Sequence, residues 1–190
     1  MLKKILLGSI AVLFLGLIII FSLDKGFLKS LYSYKNSSTM ELKGNMYITS
    51  PAFEQSEIIP TKYTCDGENI NPPLIIAGIP QESQSLALIV EDPDAPMGTW
   101  DHWLVYNINP DVREIKEGQV PPGGIEVVNS FGQKNYGGPC PPPGPAHRYF
   151  FKVYALDTKL PENIQTKKEL LEAIQNHILT HGELMGLYSR

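Results

Sequence analysis

The chain has 190 residues, 43% of them hydrophobic, with 16 Lys and Arg set against 20 Asp and Glu for a formal net charge of -4. That length supports one packed core, and no internal repeat signals a second. The mild acidity and the lack of a clustered Lys/Arg stripe argue against a nucleic-acid surface.

Residues 1–23 open with Lys3 and Lys4 and run uncharged from Ile5 to Leu23, close to the roughly 20 residues that cross a bilayer. They read as a membrane anchor. A cleaved signal usually has a shorter apolar core, of about 7 to 15 residues, ending in small side chains, whereas Ile18, Ile19, Ile20 and Phe21 are bulky. Cleavage, leaving a secreted or periplasmic domain, is the alternative. Lys25, Lys29 and Lys35 rival Lys3 and Lys4 in setting orientation, and the usual behaviour of a first segment places the domain outside the cytoplasm. Residues 24–45 carry Ser30, Ser33, Asn36, Ser37, Ser38 and Thr39 without sustained periodicity and read as a tether.

Residues 46–190 are expected to form a β domain. Tyr47, Thr49 and Phe53 mark a first strand, Pro60 to Asn71 a loop, and Leu74 to Ile76 a second strand. Leu86 to Val90 has the look of a buried strand. A return strand follows from His102 to Ile108, with His102, Leu104 and Tyr106 alternating against Trp103, Val105 and Asn107. Between them, Pro93, Pro96 and Gly98 break the chain into a rigid turn. Asn109 to Gly132 reads as connection. A Gly/Pro-rich loop from Gly137 then leads into an aromatic strand that starts at His147. Thr166 and Glu169 make a capping box. The spacing of Leu170, Ile174, His177 and His181 predicts a helix through His181, stopped by Gly182, before Leu184 to Tyr188 returns to the sheet. Many short strands with one convincing helix predict a mainly β fold, a β-sandwich of antiparallel strands with peripheral helices.

The two strand mouths carry the chemistry. Pro93 fixes the backbone between Asp92 and Asp94, and His102 and His147 each stand at the start of a strand. Such a set suits a metal, acid–base work, or a ligand with both charges; Asp beside Pro also caps its own turn. Against a metal, the Asp and His come from distant loops, and His177 and His181 lack the glutamate of a metalloprotease helix. Against a hydrolase, there is no Gly-x-Ser-x-Gly elbow, and Ser130 has no recognisable base near it in sequence. Glycine and proline around the second loop instead let backbone approach an anion, and imidazoles beside carboxylates can donate to phosphate oxygens. No cofactor is expected. Cys65 and Cys140, both in Pro/Gly loops, form a disulfide or stand as two free thiols.

The Asp92-Pro93-Asp94-Ala95-Pro96 turn, the Trp100-Asp101-His102-Trp103 return and the Pro-rich loop into His147-Arg148-Tyr149 resemble the phosphatidylethanolamine-binding protein family, in particular its bacterial Raf-kinase-inhibitor-like branch. The resemblance runs from about Met46 to Arg190 and implies the same sandwich. It also implies a pocket for a zwitterion such as phosphoethanolamine, carried onto Asp92, Asp94, Pro96, His102, Pro141, His147 and Tyr149. The chain departs from the family where only Met97, Gly98 and Thr99 precede Trp100, and where Pro145-Ala146 stands before His147. Both changes lie on the pocket rim. The expected function is non-enzymatic binding of a small anion or phosphate-bearing head group. Modulation of a partner protein through the same pocket is the alternative, and an unrecognised hydrolase comes third.

Overall fold

The computed structural model describes residues 46–190, so the expected anchor at 1–23 and tether at 24–45 lie outside the described residues. No helix among the described residues is long and apolar enough to cross a membrane. The chain runs β1 (Tyr47–Thr49), a 3-10 turn (Thr61–Tyr63), β2 (Leu74–Ala77), β3 (Ser85–Asp92), β4 (Trp100–Ile108), β5 (Glu114–Ile115), β6 (Ile125–Val127), β7 (His147–Leu156), α1 (Lys167–Ile174) and β8 (Ile178–Tyr188). The strands form a three-stranded sheet, β1-β2-β5, and a five-stranded sheet, β6-β4-β3-β7-β8, in which every ladder is antiparallel.

Both faces of the five-stranded sheet are covered, which explains why β3 reads as an apolar run instead of an alternation. On one face Leu86, Leu88, Val90, Trp103, Val105, Phe151 and Val153 share a core cluster with Ile48, Leu74, Ile76 and Ile115 of the smaller sheet. On the other, Ala87, Ile89, Leu104 and Tyr106 pack with Leu160, Ile164 and the α1 residues Leu170 and Ile174.

Four local expectations are corrected. The first strand ends at Thr49, and Phe53 is buried beyond it in the irregular chain. Asn109 to Gly132 is not only connection: Ile115 pairs with Leu74 to make β5, and Val127 pairs with Leu104 to make β6. The third concerns the end of α1. Its capping box forms as expected, with Glu169 N donating to Thr166 Oγ1 and Thr166 N donating to Glu169 Oε2, each at 3.2 Å. The helix stops at Ile174, however, and His177 and His181 are not on it. Leu156 pairs with Ile178 and Tyr154 with His181, whose rings stack 5.8 Å apart, so a β partner captures the segment that helical spacing had claimed. Gly182 serves close backbone approach instead of helix termination: a Cβ there would lie 2.5 Å from the Met46 carbonyl oxygen.

The fourth correction sits in β4. Leu88 pairs with Val105 and Val90 with Trp103, but Glu91 pairs with Asp101 and Leu86 with Ile108. One residue is therefore extra at His102 and another near Asn107, whose φ is 58°. Each such bulge reverses which side of the sheet successive residues face. Trp103, Val105 and Ile108 accordingly share one cluster while Leu104 and Tyr106 lie in the other. His102 leaves the Leu104–Tyr106 side and packs edge-on against Tyr149, with ring centroids 5.2 Å apart.

Candidate functional site

Asp92 ends β3 and His147 begins β7 on the neighbouring strand. Their side chains meet: His147 Nδ1 lies 2.8 Å from Asp92 Oδ2, and the carboxylate is only 3% exposed. Its other oxygen accepts the Asp94 amide at 2.8 Å, the local turn expected of Asp before Pro. Asp92 thus both shapes its turn and holds an imidazole. The tether to Nδ1 leaves Nε2 as the His147 nitrogen with no bond to the chain.

The bulge in β4 delivers His102, 3% exposed, to the same place. Its Nδ1 lies 2.6 Å from the Gly137 carbonyl, and the Gly137 amide donates to the His102 carbonyl at 3.0 Å, so the second loop is stitched to β4. A carbonyl oxygen only accepts, so Nδ1 carries the hydrogen. Burial pushes the pKa of this imidazole down, against the opposing pull of the Gly137 carbonyl and the Asp92 charge. With Nδ1–H so held, a neutral His102 presents Nε2 as an acceptor, whereas the sequence suggested that both imidazoles donate.

Tyr149, two residues beyond His147 on β7, is 1% exposed, and its hydroxyl makes no hydrogen bond within the described residues. Burial raises its pKa and keeps the phenol protonated, with the charge of Asp92 adding to it; the Asp92 carboxylate faces the hydroxyl without closing a hydrogen bond of normal length. A buried polar atom without a partner typically costs about 1–3 kcal/mol, so this hydroxyl is unspent capacity.

These groups line a cavity of about 200 Å³ together with Ala95, Pro96, Trp100, Phe131, Pro141, Pro142 and Cys140. Of the sequence-predicted residues, Asp92, Pro96, His102, Pro141, His147 and Tyr149 come together there. Asp94 does not. Its carboxylate takes a fork from Arg148, Nη2 to Oδ1 at 2.6 Å and Nε to Oδ2 at 2.9 Å, and also accepts the Arg148 amide at 3.0 Å. The guanidinium holds the Asp94 pKa down at about 2. Asp94 belongs to the clamp that fixes the turn to the start of β7.

Cys65 and Cys140 are joined, with Cα atoms 5.4 Å apart, which ties the cavity wall to the 3-10 turn region. Sequence reasoning passed over Trp100, Phe131 and Asn129. Phe131 packs edge-on against both Trp100 and His102 at 5.5 and 5.4 Å. Buried Asn129 shapes that wall: its side chain accepts from the Phe131 and Gln133 amides and donates to the Asn135 and His102 carbonyls. An Asn three residues before a Gly in a polar loop was the available signal, since Asn bonds its own turn. No group of His, Cys, Asp and Glu among the described residues has the geometry of a metal site. A larger groove of about 800 Å³ beside α1, lined by Tyr154, Leu171, Ile174 and Ile178 among others, has no such convergence of unpaired polar groups.

With this geometry in view, the comparisons agree with the fold. The family model for phosphatidylethanolamine-binding protein matches residues 49–189. A UPF0098 protein of Methanothermobacter thermautotrophicus is 48% identical over 151 residues, covering 76% of this chain and 99% of the relative. A UPF0098 protein of Chlamydia muridarum is 48% identical over 152 residues, with the same coverage. Among solved structures, the phosphatidylethanolamine-binding protein homologue CT736 of Chlamydia trachomatis superposes with a TM-score of 0.73 at 44% identity, covering 77% of this chain and 98% of that one. YbcL of E. coli superposes at 0.72 with 30% identity, covering 77% and 99%. The chain belongs to the phosphatidylethanolamine-binding protein family, and this membership supports a ligand-binding fold.

Proposed function

We propose that the cavity binds a small phosphate-bearing head group or related anion without chemically changing it. The observation that carries this reading is the buried, unpartnered Tyr149 hydroxyl beside the Asp92–His147 pair. Such a group is relieved by a ligand oxygen or nitrogen. A space of about 200 Å³ is below the usual range of roughly 300–1,000 Å³ for drug-sized ligands, which favours a head group over a whole lipid. Asp92 would repel a bare anion, so protonated His147 or a cationic arm on the ligand supplies the compensating charge. The reading is of binding only.

The two sheets sharing one core are taken as a β-sandwich. The domain is placed outside the cytoplasm, held by the apolar segment at 1–23 through the tether at 24–45. The Cys65–Cys140 bond supports an oxidising compartment. A partner-modulating role has one observation in its favour: Phe131, which lines the cavity, is 41% exposed, and Met97, next in the chain to the lining residue Pro96, is 93% exposed, apolar surface for a partner protein to cover.

Calorimetric titration with phosphoethanolamine tests the binding. His147→Ala should weaken affinity roughly ten- to a hundredfold, the worth of one charge-assisted hydrogen bond of about 1.5–3 kcal/mol. His177→Ala should leave it unchanged, because His177 bonds Asp157 and does not line the cavity. No saturable binding by the wild-type chain, or turnover of a phosphate ester, would overturn the reading.

A further inference from the structure

The polar groups of the cavity are unevenly divided between donors and acceptors. His102 Nδ1 is committed to the Gly137 carbonyl at 2.6 Å. His102 is 3% exposed, the Gly137 carbonyl is its hydrogen-bond partner within normal geometry while the Gly138 backbone adds a weaker pull, and its ring nitrogens are not among the buried atoms left without a partner. Its Nε2 therefore has its access through the cavity that the ring lines. Asp92 adds a carboxylate, an acceptor only. On the donor side stand the Tyr149 hydroxyl and, when the ring is charged, His147 Nε2.

A fully deprotonated tetrahedral oxyanion brings acceptors alone. Against this lining its oxygens would satisfy Tyr149 and a charged His147, but one of them would face the lone pair of His102 Nε2 and another the field of Asp92. An oxyanion that carries a P–OH group offers the missing donor. His102 and Tyr149 rings lie 5.2 Å apart, and His147 is two positions from Tyr149 on the same strand face. The groups thus converge on one cavity of about 200 Å³, and the donor is best supplied by the bound group itself.

We propose that His102 Nε2, an acceptor because its Nδ1–H is held by the Gly137 carbonyl, selects a proton-bearing phosphate, a phosphomonoester monoanion or dihydrogen phosphate, over an oxyanion with no proton, such as sulfate. This rests on the anion-binding reading of the cavity and deepens it. The charges that reach His102 are those of Asp92 on β3 and Asp101 on its own strand; the titratable groups of β7 on this side are Tyr149, packed against the ring, and His147, paired with Asp92. Burial outweighs the pull of Asp92 and Asp101 and lowers the pKa of the ring, which favours the neutral form and with it the acceptor.

The test is calorimetry on the full chain in non-ionic detergent, at one ionic strength, with inorganic phosphate, sulfate, phosphocholine and glycerophosphoethanolamine. At pH 5.5 phosphate should bind at least tenfold more tightly than sulfate. From pH 5.5 to 8 the phosphate affinity should fall several-fold more than that of sulfate, which has no proton to lose in this range, so the sulfate series isolates the protein's own titration. Phosphocholine, a monoester without N–H, should follow phosphate. Glycerophosphoethanolamine, a diester with an ammonium, should bind weakly. His102→Gln, whose amide can turn a donor toward the cavity, should bring the phosphate-to-sulfate ratio close to one. Sulfate bound within threefold of phosphate by the wild-type chain overturns the selectivity while leaving the anion site standing. Glycerophosphoethanolamine bound more tightly than phosphocholine overturns it by assigning the proton to the ammonium. Failure of all four ligands to bind overturns the anion-site reading itself. Because the decisive ratios are measured on the wild-type chain, a misfolded variant does not weaken the test.

Discussion

The same three strands carry polar groups on both faces, and the two sets end differently. On the helix side, Glu91 accepts from Lys152 at 2.7 Å and from Lys167 at 2.6 Å, and Lys167 also bonds Asp101. One residue along β3 and one along β4, Asp92 and His102 turn to the opposite face and join His147 and Tyr149. The first set closes on itself with each charge partnered. The second holds a phenol with no partner, as the helix side also does in Tyr106, but adds two imidazole nitrogens with no hydrogen bond, and all three groups belong to residues that line one cavity. A closed network is explained by its own contacts, whereas an open one calls for a molecule from outside. Burial alone would not have separated them, since both sets are largely withdrawn from solvent.

The largest expected effect falls on the covalent wall of the cavity. The Cys65–Cys140 bond spans a separation of 75 residues, for which chain-entropy estimates give about 4 kcal/mol. Denaturant unfolding of the Cys65→Ser/Cys140→Ser chain should show a loss of that order, together with weaker ligand binding because Cys140 lines the cavity. A loss of stability with full affinity would separate the wall from the site.

The closed network should respond to mutation in stability alone. Lys167→Met leaves Asp101 without its cation and Glu91 with one of two, which should cost about 1.5–3 kcal/mol with no change in ligand affinity. Burial pushes Glu91 upward, but Lys152 and Lys167 outweigh it and hold it below the ordinary carboxylate range. Burial likewise pulls Lys167 down, and Asp101 and Glu91 outweigh that. A depressed carboxylate stabilises above its unfolded pKa and loses this as pH falls through the folded one. A raised lysine stabilises below its unfolded pKa and loses this as pH rises through the folded one. The network's contribution should thus be level from about pH 5 to 10. A fall in affinity in Lys167→Met matching that of His147→Ala would mean that the two faces are coupled.

Tyr149→Phe reverses the pattern. Removing an unpartnered buried hydroxyl should leave stability within about 1 kcal/mol of the parent or raise it, while affinity falls about tenfold. A clear loss of stability without loss of affinity would show the hydroxyl to be structural.

The smallest effect belongs to the Asp94–Arg148 clamp. The Asp94 pKa lies at about 2, below its ordinary value of 3.8. The pair therefore contributes fully above pH 3.8 and loses its contribution as pH falls through 2. Because the guanidinium is half-exposed, solvent screening limits this to under about 1 kcal/mol. Asp94→Asn should flatten the acid limb of the stability profile by that amount.

Much of this was legible in the residues. The DPDAP turn and the Pro-rich loop identified the two strand mouths, and the strands at Leu74, Leu86 and His147 followed from apolar runs bounded by turn residues. The end of α1 was not, because Ile174 and Ile178 satisfy helical spacing equally well as a helix end and a strand start, and only pairing with Tyr154 and Leu156 decides between them. The role of Asp94 was hidden for a similar reason, since its partner Arg148 lies 54 residues away. His102 was found, but not its tautomer, which depends on the Gly137 carbonyl brought in by a separate loop.

The bulge at His102 has one further consequence. Val90 already pairs with Trp103 and Glu91 with Asp101, so the ladder on either side is complete without the residue between them. Deleting that one codon would make this end of the hairpin regular, with the neighbouring residues keeping their partners and their faces. Position 102 is thus the place in the hairpin where a lineage can lose the acceptor in one step, keep the fold, and leave a descendant that looks like its relatives by strand order but has an emptied specificity.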